Sequence, residues 1–346
     1  MDWIVNTSTD PAFNLALEEY LLRSVEPGHP GYAILWQNRP TIVVGRFQNT
    51  RQEINAGYVR EHDISVVRRM TGGGAVYHDG GTLNYTFIRH LNRDGVLPGF
   101  SDAGKPIAEA LRSLGLPVAF SGRNDLVLEG AKVAGVAYCR QGPRFLHHGC
   151  ILVDSDLDVL TQALQVDPEK FRSKGVASVR SRVDNLADWL ARCDPAAPRL
   201  SVESVREAIM KRCSGTVLEL DAEAAAAVGK LRDSKYASWD WTYGASPPFT
   251  EHRRRRFPWG DVEVFFAVRK GSIVSCRIHG DFFMAGSGGD SSEEGCLELS
   301  DLENVLVGVP YTGEAMSAVL ERMPLERIFG GCDTVKLRRF LLPEQS

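Results

Sequence analysis

The sequence predicts an α+β fold with mixed or antiparallel sheets. Runs of apolar and β-branched residues follow one another, as at Tyr32–Trp36 and Thr41–Val44, before the next predicted helix begins. A regular alternation of strand and helix is missing, which disfavours a doubly wound parallel sheet. The chain of 346 residues is long enough for two hydrophobic cores, and Tyr243–Pro248, with two prolines and several turn formers, predicts a linker between them.

The first helix is predicted to begin with Asp10 as N-cap and Pro11 as its first residue, because apolar residues then recur at helical spacing. A second helix is expected from about Pro106 until Gly115 stops it. Between these two helices, strands are predicted at Tyr32–Trp36, Thr41–Val44, Ile64–Val67 and Leu83–Ile88.

A hairpin is predicted over Leu126–Tyr138 with its turn at Glu129-Gly130, followed by a buried strand at Ile151–Val153. Capping side chains predict helices at Asp156–Leu164 and Ser201–Arg212. After the linker, the sequence predicts a small α+β unit of about 100 residues. Its expected elements are strands Val262–Val268 and Ser272–Ile278 around a Lys270-Gly271 turn, a mobile loop at Ala285–Gly295, a helix from Ser300 with Glu303 as capping-box partner, and a helix near Thr312.

The charge distribution disfavours nucleic acid and membrane partners. The net charge is −4, and no apolar run approaches the length of about 18 residues that spans a membrane. The basic run from His252 to Arg256 precedes an apolar strand, so we interpret it as a solvated edge in preference to a phosphate-binding track.

Cysteine usage and the N-terminus predict a cytoplasmic protein. The seven cysteines are scattered without a Cys-x-x-Cys pair, which indicates free thiols in a reducing compartment and no zinc site. The first residues, Met-Asp-Trp-Ile-Val, lack the features of a signal peptide.

The most informative segment is Arg68–Asn84, in which Gly72, Gly73 and Gly74 follow an arginine pair. A turn without side chains lets backbone amides approach a ligand closely, and the arginines favour an anionic, nucleotide-like one. The segment is neither a P-loop, since Lys-Ser/Thr is absent, nor a Gly-x-Gly-x-x-Gly loop. From these residues alone, a plain structural turn and a ligand-binding turn remain equally supported.

Arg68–Asp79 resembles the Arg-Arg-x-Ser/Thr-Gly-Gly-Gly-Ala-Val-aromatic-His-Asp signature of lipoate–protein ligases. Further matches in the family's order are Asn14–Glu19, Gly45–Asn49, Gly122–Leu126, Lys132–Gly135, His147–Gly149, Ser178–Val183 and Trp239–Gly244. The resemblance implies a catalytic domain at 1–244, with the fold shared by class II aminoacyl-tRNA synthetases and biotin ligases, and an accessory domain at 250–346.

The resemblance also implies a reaction in two steps. ATP, carried with Mg²⁺, activates lipoate as lipoyl-AMP, and a lysine of a lipoyl-domain protein then accepts the acyl group as an amide. Such acceptors are E2 subunits of 2-oxoacid dehydrogenases or the H protein of glycine cleavage.

Lys132 matches the family's catalytic lysine, and we expect its ammonium to bridge the lipoate carboxylate and the α-phosphate. Arg69 is expected on the ligand, because its planar fork holds an anion through two hydrogen bonds. Arg68 is interpreted either as a second ligand contact or as an ordinary surface residue. The other ligand-binding positions implied by the resemblance are Gly72, Gly73, Gly74, Ala75, Val76, Tyr77, His78, Asn84, Asp125, Gly135, His148 and Arg180.

Several of these positions have structural alternatives. Asp125 is expected to help bind Mg²⁺, or else to be a turn residue. The Tyr77 side chain is expected in the core and not on adenine, whereas His78 and Asn84 either contact ligand or brace the loop. Ser178–Val183 resembles a loop that closes over the adenylate, with Arg180 or Arg182 meeting the phosphate.

One residue departs from the family pattern. Position 150 is Cys, where the ligases commonly carry Thr after His-His-Gly. A cysteine near the acyl group raises the alternative of an octanoyl or lipoyl transferase that forms a thioester. A second alternative is a binder of lipoyl domains without catalysis, whereas biotin ligation is disfavoured because the Gly-Arg-Gly-Arg-x-Gly loop is absent.

Overall fold

A computed structural model describes residues 1–91, 99–121, 124–164, 183–243, 250–285 and 297–343. The strands are β1 (Asp2–Ile4), β2 (Tyr32–Trp36), β3 (Thr41–Val44), β4 (Ser65–Arg68), β5 (Val76–His78), β6 (Thr82–His90), β7 (Ala119–Ser121), β8 (Asp125–Leu128), β9 (Ala131–Gln141), β10 (Arg144–Leu152), β11 (Val217–Leu218), β12 (Glu251–Phe257), β13 (Gly260–Arg269) and β14 (Ser272–Phe282). The helices are α1 (Pro11–Ser24), α2 (Thr50–Glu53), α3 (Ala56–Glu61), α4 (Phe100–Ser113), α5 (Leu157–Ala163), α6 (Leu186–Cys193), α7 (Val202–Arg212), α8 (Ala222–Leu231), α9 (Trp239–Tyr243), α10 (Leu299–Leu306), α11 (Gly313–Leu320) and α12 (Thr334–Leu341), with a π turn at Arg232–Tyr236 and a 3₁₀ turn at Leu325–Arg327.

An eight-stranded mixed sheet forms the centre of the molecule, in the order β11-β1-β2-β6-β10-β9-β8-β7. The β11, β1 and β2 strands pair in parallel, and the other neighbours are antiparallel. The apolar side of α1, including Leu15 and Leu22, packs on one face, and α4 and α7 pack on the other through Ile107 and Ile209. This layered arrangement confirms the predicted α+β class.

A second sheet of three strands carries the glycine-rich segment. Its β3 strand pairs in parallel with β4 and antiparallel with β5. The glycine-rich turn joins the end of β4 at Arg68 to the start of β5 at Val76. Both ends of the turn are therefore held in one sheet, through a short strand at Val76–His78 that the sequence did not predict.

The C-terminal unit (residues 250–343) has a sheet and hydrophobic core of its own. The β12, β13 and β14 strands form an antiparallel meander. Val264 and Phe266 of this sheet are fully buried against Leu302 of α10 and Phe329. The predicted linker residues 244–249 and loop residues 286–296 lie outside the described residues.

Both predicted hairpin turns are confirmed. Glu129 and Gly130 have φ of 48° and 87°, and Lys270 and Gly271 have φ of 50° and 78°. Positive φ at both central residues is the geometry of a two-residue turn that matches strand twist.

Two predicted helix starts are wrong. The α4 helix begins at Phe100 and contains Pro106, because burial of the following apolar residues against the large sheet outweighs the hydrogen bond that proline cannot donate. The α10 helix is capped by Glu298 with Asp301 as its box partner, and not by Ser300 with Glu303. The Glu303 carboxylate instead accepts the Ile278 N–H at 2.8 Å, which fixes α10 to β14.

None of the helices within the described ranges is long and apolar enough to cross a membrane. The six cysteines within those ranges are all free thiols.

Candidate active site

One cavity of about 580 Å³ brings together most of the residues singled out from the sequence. It lies where the large sheet, the glycine-rich turn and the C-terminal unit meet. The predicted residues that line it are Arg69, Gly74, Ala75, Val76, His78, Asn84, Asp125, Lys132, Gly135 and His148.

The floor of the cavity is one row of residues across the large sheet. Trp36, Asn84, Cys150, Gly135 and Asp125 are consecutive cross-strand partners on β2, β6, β10, β9 and β8, and all five line the cavity. At about 4.8 Å between neighbouring strands, the row is about 19 Å long. Its Trp36 end is apolar, and its Asp125 end carries the Lys132 ammonium 2.8 Å from the carboxylate, so the floor suits a long ligand with one apolar end and one anionic end that the ammonium can hold.

A β-bulge places Lys132 on this floor. Asp125 pairs with Gly135 and Val127 pairs with Lys132, so Val133 is an extra residue in β9. The extra residue reverses the alternation of side chains, and Lys132 therefore shares a face with Gly135 three positions later. The Lys132 ammonium lies 2.8 Å from the Asp125 carboxylate. A Cβ on Gly135 would be only 2.9 Å from the same ammonium, so the glycine leaves room for the lysine.

The three glycines of the turn have three different surroundings. A Cβ on Gly72 would lie 2.2 Å from the carbonyl oxygen of Phe282 in the C-terminal unit. Gly73 has φ of +95°, which favours glycine, and its carbonyl oxygen would lie 1.9 Å from a Cβ on Gly45. Only Gly74 of the three lines the cavity. The run of glycines therefore serves close packing as well as access to the cavity.

Arg69 shapes the turn from within. Its guanidinium donates to the carbonyl oxygens of Val43, Gly72 and Gly74 at 2.8–3.0 Å and to the Thr71 hydroxyl at 3.0 Å. Four of its five N–H groups are thus bound to protein. Burial lowers the pKa of Arg69 to about 10, so the group remains charged at neutral pH. Its predicted contact with ligand remains a prediction and has one N–H group left to make it.

Arg68 is not an ordinary surface residue, and the surface interpretation is wrong. Its side chain is 3% exposed and donates to the carbonyl oxygens of Gly45, Gln48 and Thr242. In return, the Trp241 indole donates to the Arg68 carbonyl oxygen at 2.8 Å. A buried guanidinium needs several acceptors around it. Arg68 therefore joins its own motif to the motifs Gly45–Asn49 and Trp239–Gly244.

Buried polar side chains brace the cavity from α1. The Glu18 carboxylate contacts His148 Nδ1 at 2.8 Å, and His148 Nε2 contacts the Thr71 hydroxyl at 2.8 Å. These contacts tie β10 to the glycine-rich turn. They also explain why an acidic residue of the Asn14–Glu19 motif is fully buried.

A second polar chain fixes the proton position of His78. The Asn14 amide donates to the Asn38 Oδ1 at 2.9 Å, so the Asn38 amide nitrogen donates to His78 Nδ1 at 3.2 Å. Burial lowers the pKa of His78 to about 3, and the ring is therefore neutral with its hydrogen on Nε2. His78 thus offers a hydrogen-bond donor and no charge.

Three predicted positions do not line the cavity. The Tyr77 side chain lies in the core with Ile42 and Val44, where we expect it from the sequence, and Gly72 and Gly73 lie behind Gly74. Arg180 and Arg182 lie outside the described residues. Val183, which ends that segment, forms a β-bridge with Lys132. Val183 itself therefore lies beside Lys132.

The sequence did not reveal that the C-terminal unit lines the cavity. Arg256, Phe257, Pro258 and Asp281 all contribute to the wall. Arg256 lies on the exposed edge strand β12, as we expect from the sequence, and it also lines the cavity, which the sequence interpretation did not include. The sequence pattern of a basic edge strand is the same whether its side chains face water or a neighbouring unit. Only the position of the C-terminal unit in the structure shows that Arg256 lines the cavity.

Four contacts between described residues help to hold the C-terminal unit in this position. The Gly280 N–H donates to the Phe47 carbonyl oxygen at 2.7 Å, and the Phe47 and Phe282 rings stack with centroids 5.0 Å apart. The Tyr138 and Phe283 rings stack at 5.7 Å, and Arg46 pairs with Glu298 at 2.7 Å.

Comparisons with known proteins agree with this geometry. The family model for the lipoyl protein ligase A/B catalytic domain matches residues 10–214, and the model for the bacterial lipoate protein ligase C-terminus matches residues 246–341. Lipoate–protein ligase 1 of Staphylococcus aureus is 38% identical over 341 residues, which cover 97% of this chain and 98% of the relative. The lipoate-protein ligase LplJ of Bacillus subtilis is 37% identical over 331 residues, which cover 93% of each chain.

Solved structures share the fold. The P. falciparum LipL1 structure in complex with lipoate has a TM-score of 0.76 at 24% identity and covers 99% of both chains. Lipoate-protein ligase A bound with ATP has a TM-score of 0.60 at 25% identity, covering 70% of this chain and 98% of that chain. The catalytic model spans more than half of the chain, and the two curated relatives match along nearly its whole length. The chain therefore belongs to the lipoate–protein ligase family.

Proposed function

We propose that the chain activates lipoate with ATP and transfers the lipoyl group to a lysine of a lipoyl domain. The observation that carries the proposal is the position of Lys132, which shares one cavity with the glycine-rich turn, Asp125 and an apolar end. In the first step a lipoate carboxylate oxygen attacks the α-phosphorus, and pyrophosphate leaves. In the second step the acceptor amine attacks the acyl carbon, and AMP leaves with the electron pair of the anhydride bond.

Lys132 acts by electrostatics. Carboxylate and α-phosphate are both anions, so bringing them together requires a cation placed between them. The ammonium lies 2.8 Å from the Asp125 carboxylate in the free protein, which orients it on the cavity floor. When the substrates enter, their oxygens replace the carboxylate as the partners of Lys132.

Asp125 fits a role in holding Mg²⁺. The Asp125 carboxylate lines the cavity, and its Oδ1 contacts the Lys132 ammonium at 2.8 Å, so the carboxylate would be released to a cation when substrate oxygens become the partners of Lys132. Within the described ranges no cluster of three or more His, Cys, Asp or Glu side chains forms a complete cage. Mg²⁺ suits such a place, because it commonly keeps waters and binds one or two carboxylates together with substrate phosphates. The ion would offset phosphate charge.

The apolar end of the floor suits the acyl chain. An extended eight-carbon acid measures about 9 Å from C1 to C8, given C–C bonds of about 1.5 Å. From Gly135, beneath the Lys132 ammonium, two strand spacings of about 4.8 Å reach Asn84. The ring end of lipoate would then lie at about Asn84, with Trp36 one strand further on.

The domain roles follow the two units. We propose residues 1–244 as the catalytic domain and 250–346 as an accessory domain that leaves the cavity before transfer. The docked unit covers the cavity that an acceptor lysine has to reach, which supports this movement. E2 subunits of 2-oxoacid dehydrogenases or the glycine cleavage H protein are the proposed acceptors. The free thiols support a cytosolic location.

A pyrophosphate assay tests the proposed function. With ATP, Mg²⁺ and lipoate we expect pyrophosphate release and an acyl-adenylate that hydroxylamine traps, with octanoate and biotin run in parallel. If no acyl substrate gives pyrophosphate, the ligase proposal fails, and a lipoyl-domain binder without catalysis becomes the better description.

Cys150 supports a second candidate, a transferase that forms a thioester. The thiol lies on the cavity floor between Asn84 and Gly135 and is 8% exposed. We expect Cys150→Ser to change both half-reactions less than about twofold, because a small buried residue replaces another. Loss of transfer in this variant, with labelled acyl group trapped on a cysteine of the wild type, supports the thioester route instead.

A further inference from the structure

The cavity receives two anionic substrates, yet its described cations are unequally available. Arg69, Lys132 and Arg256 are the basic side chains among the described residues that line it. Arg69 has four N–H groups bound to the turn and its neighbours, and Lys132 is paired with Asp125. The two cations of the large and second sheets are thus already held in place before ATP arrives.

Arg256 is held much more loosely. Its side chain is 47% exposed, and its ion pair with Asp261 is long, at 4.0 Å. The same Asp261 oxygen is already paired with Arg254 at 2.7 Å. A long ion pair at a half-exposed site contributes little free energy to holding the side chain in place. Arg256 is therefore able to turn to an incoming anion.

The position of Arg256 is nevertheless well defined. It stands at the end of β12, one residue before the turn in which Phe257 and Pro258 also line the cavity. The stacked Phe47 and Phe282 rings and the Gly280–Phe47 hydrogen bond fix this sheet against the glycine-rich turn. Because its side chain lines the cavity and is half-exposed, Arg256 stands at the cavity mouth on the C-terminal unit, whereas Lys132 lies on the floor formed by the large sheet.

We propose that Arg256 binds the part of ATP that leaves as pyrophosphate, so that the docked C-terminal unit completes the site for the first step only. This inference rests on the proposed function. With the carboxylate and α-phosphate at Lys132, the β- and γ-phosphates extend toward the half-exposed mouth, where a guanidinium holds phosphate through paired hydrogen bonds. Once pyrophosphate has left, Arg256 has no partner in the adenylate, and the unit is released for transfer.

The test compares Arg256→Ala with Arg255→Ala, which removes the same charge from the neighbouring position of β12 outside the cavity lining. We expect Arg256→Ala to weaken binding of α,β-methylene-ATP about 10-fold, as the loss of a charge-assisted hydrogen bond predicts, and Arg255→Ala to change it less than about twofold. Binding of a lipoyl sulfamoyl-adenosine, which lacks the pyrophosphate part, should stay unchanged in both variants. Arg256→Lys should recover part of the ATP affinity.

Kinetics provide a second readout. Arg256→Ala should raise the KM for ATP in pyrophosphate release about 10-fold and leave transfer from synthetic lipoyl-AMP at the wild-type rate. Equal losses for the two arginines, or an equal loss for the sulfamoyl analogue, overturn the proposal. The two proposals can fail separately. If Arg256→Ala weakens binding of α,β-methylene-ATP but the wild type releases no pyrophosphate, the ligase function is contradicted and the binding role of Arg256 is supported.

Discussion

The two walls of the cavity differ in how their charged groups are held. On the wall built by the large and second sheets, Arg69 and Lys132 are bound by protein partners, and buried chains through Glu18 and Asn14 fix the residues behind them. On the wall built by the C-terminal unit, Arg256 and Asp281 have weak or few partners. We propose the wall of the C-terminal unit as a mobile wall and the other as a fixed wall. A site that adenylates one substrate and then admits a protein would benefit from this division, because the reacting groups stay preorganised while the proposed phosphate contact of Arg256 leaves with the mobile wall.

The largest expected effect is on the fixed wall. Lys132→Ala should lower adenylate formation by about 10²–10³-fold or more, because no other described cation lies on the cavity floor. Pyrophosphate release measures it. Lys105→Ala is the matched control, since Lys105 is 68% exposed and pairs only loosely with Glu109 at 4.0 Å. If Lys132→Ala folds normally and releases pyrophosphate at the wild-type rate, Lys132 has no part in adenylation.

Locking the mobile wall should affect the two half-reactions differently. A short bismaleimide joining Arg46→Cys to Glu298→Cys, in a Cys193→Ser background, would hold the C-terminal unit where that ion pair holds it now. We expect adenylation to persist and transfer to a lipoyl domain to fall roughly tenfold or more, because the acceptor lysine cannot enter. The uncrosslinked double variant is the control. Unimpaired transfer in the locked protein contradicts the movement.

Weakening the contact between the walls should resemble the loss of Arg256. Gly72→Ala places a Cβ about where the Phe282 carbonyl oxygen now lies, at 2.2 Å, so the C-terminal unit has to shift. The KM for ATP should rise about 10-fold, since the displaced unit no longer presents Arg256. Gly80→Ala serves as control, because nothing lies within 4 Å of its Cβ position. The double variant Gly72→Ala/Arg256→Ala should have the same KM for ATP as Arg256→Ala alone. If the two increases in KM add, Gly72→Ala does not act through Arg256.

The smallest expected effect concerns the acid of the mobile wall. The Asp281 carboxylate lies 3.5 Å from a Cβ position on Gly74, close to where ATP is expected. Removing its charge with Asp281→Asn should lower the KM for ATP about threefold, the opposite sign to Arg256→Ala, because a like charge is removed at a partly exposed site. A rise in KM instead places Asp281 among the groups that help bind ATP.

Local patterns predicted much of the fold. The Asp10-Pro11 start of α1 and both type I′ hairpin turns depend on a few neighbouring residues, and all three are found as predicted. The predicted start of α4 and the predicted cap of α10 are wrong because tertiary contacts determine both. The α4 helix begins six residues before Pro106 because the buried residues after the proline hold it on the large sheet, and the Glu303 carboxylate is bound by the Ile278 N–H.

The residues of the site were named by the family signature, but their geometry was not visible in the sequence. The bulge at Val133 depends on pairing with β8, and no local pattern announces it. Gly72 resembles a ligand-binding glycine, whereas its contact is the Phe282 carbonyl oxygen, 210 positions later in the chain. Arg256 was missed for the same reason, since docking of one unit on another depends on distant residues.

Exchange of labelled pyrophosphate into ATP tests the two-walled site most directly, because it reports the first step alone. With lipoate present, the wild type should exchange, Lys132→Ala should not exchange at any ATP concentration, and Arg256→Ala should recover wild-type exchange at high ATP. No exchange in the wild type, or identical ATP dependence for the wild type and Arg256→Ala, would contradict a site built from one fixed and one mobile wall.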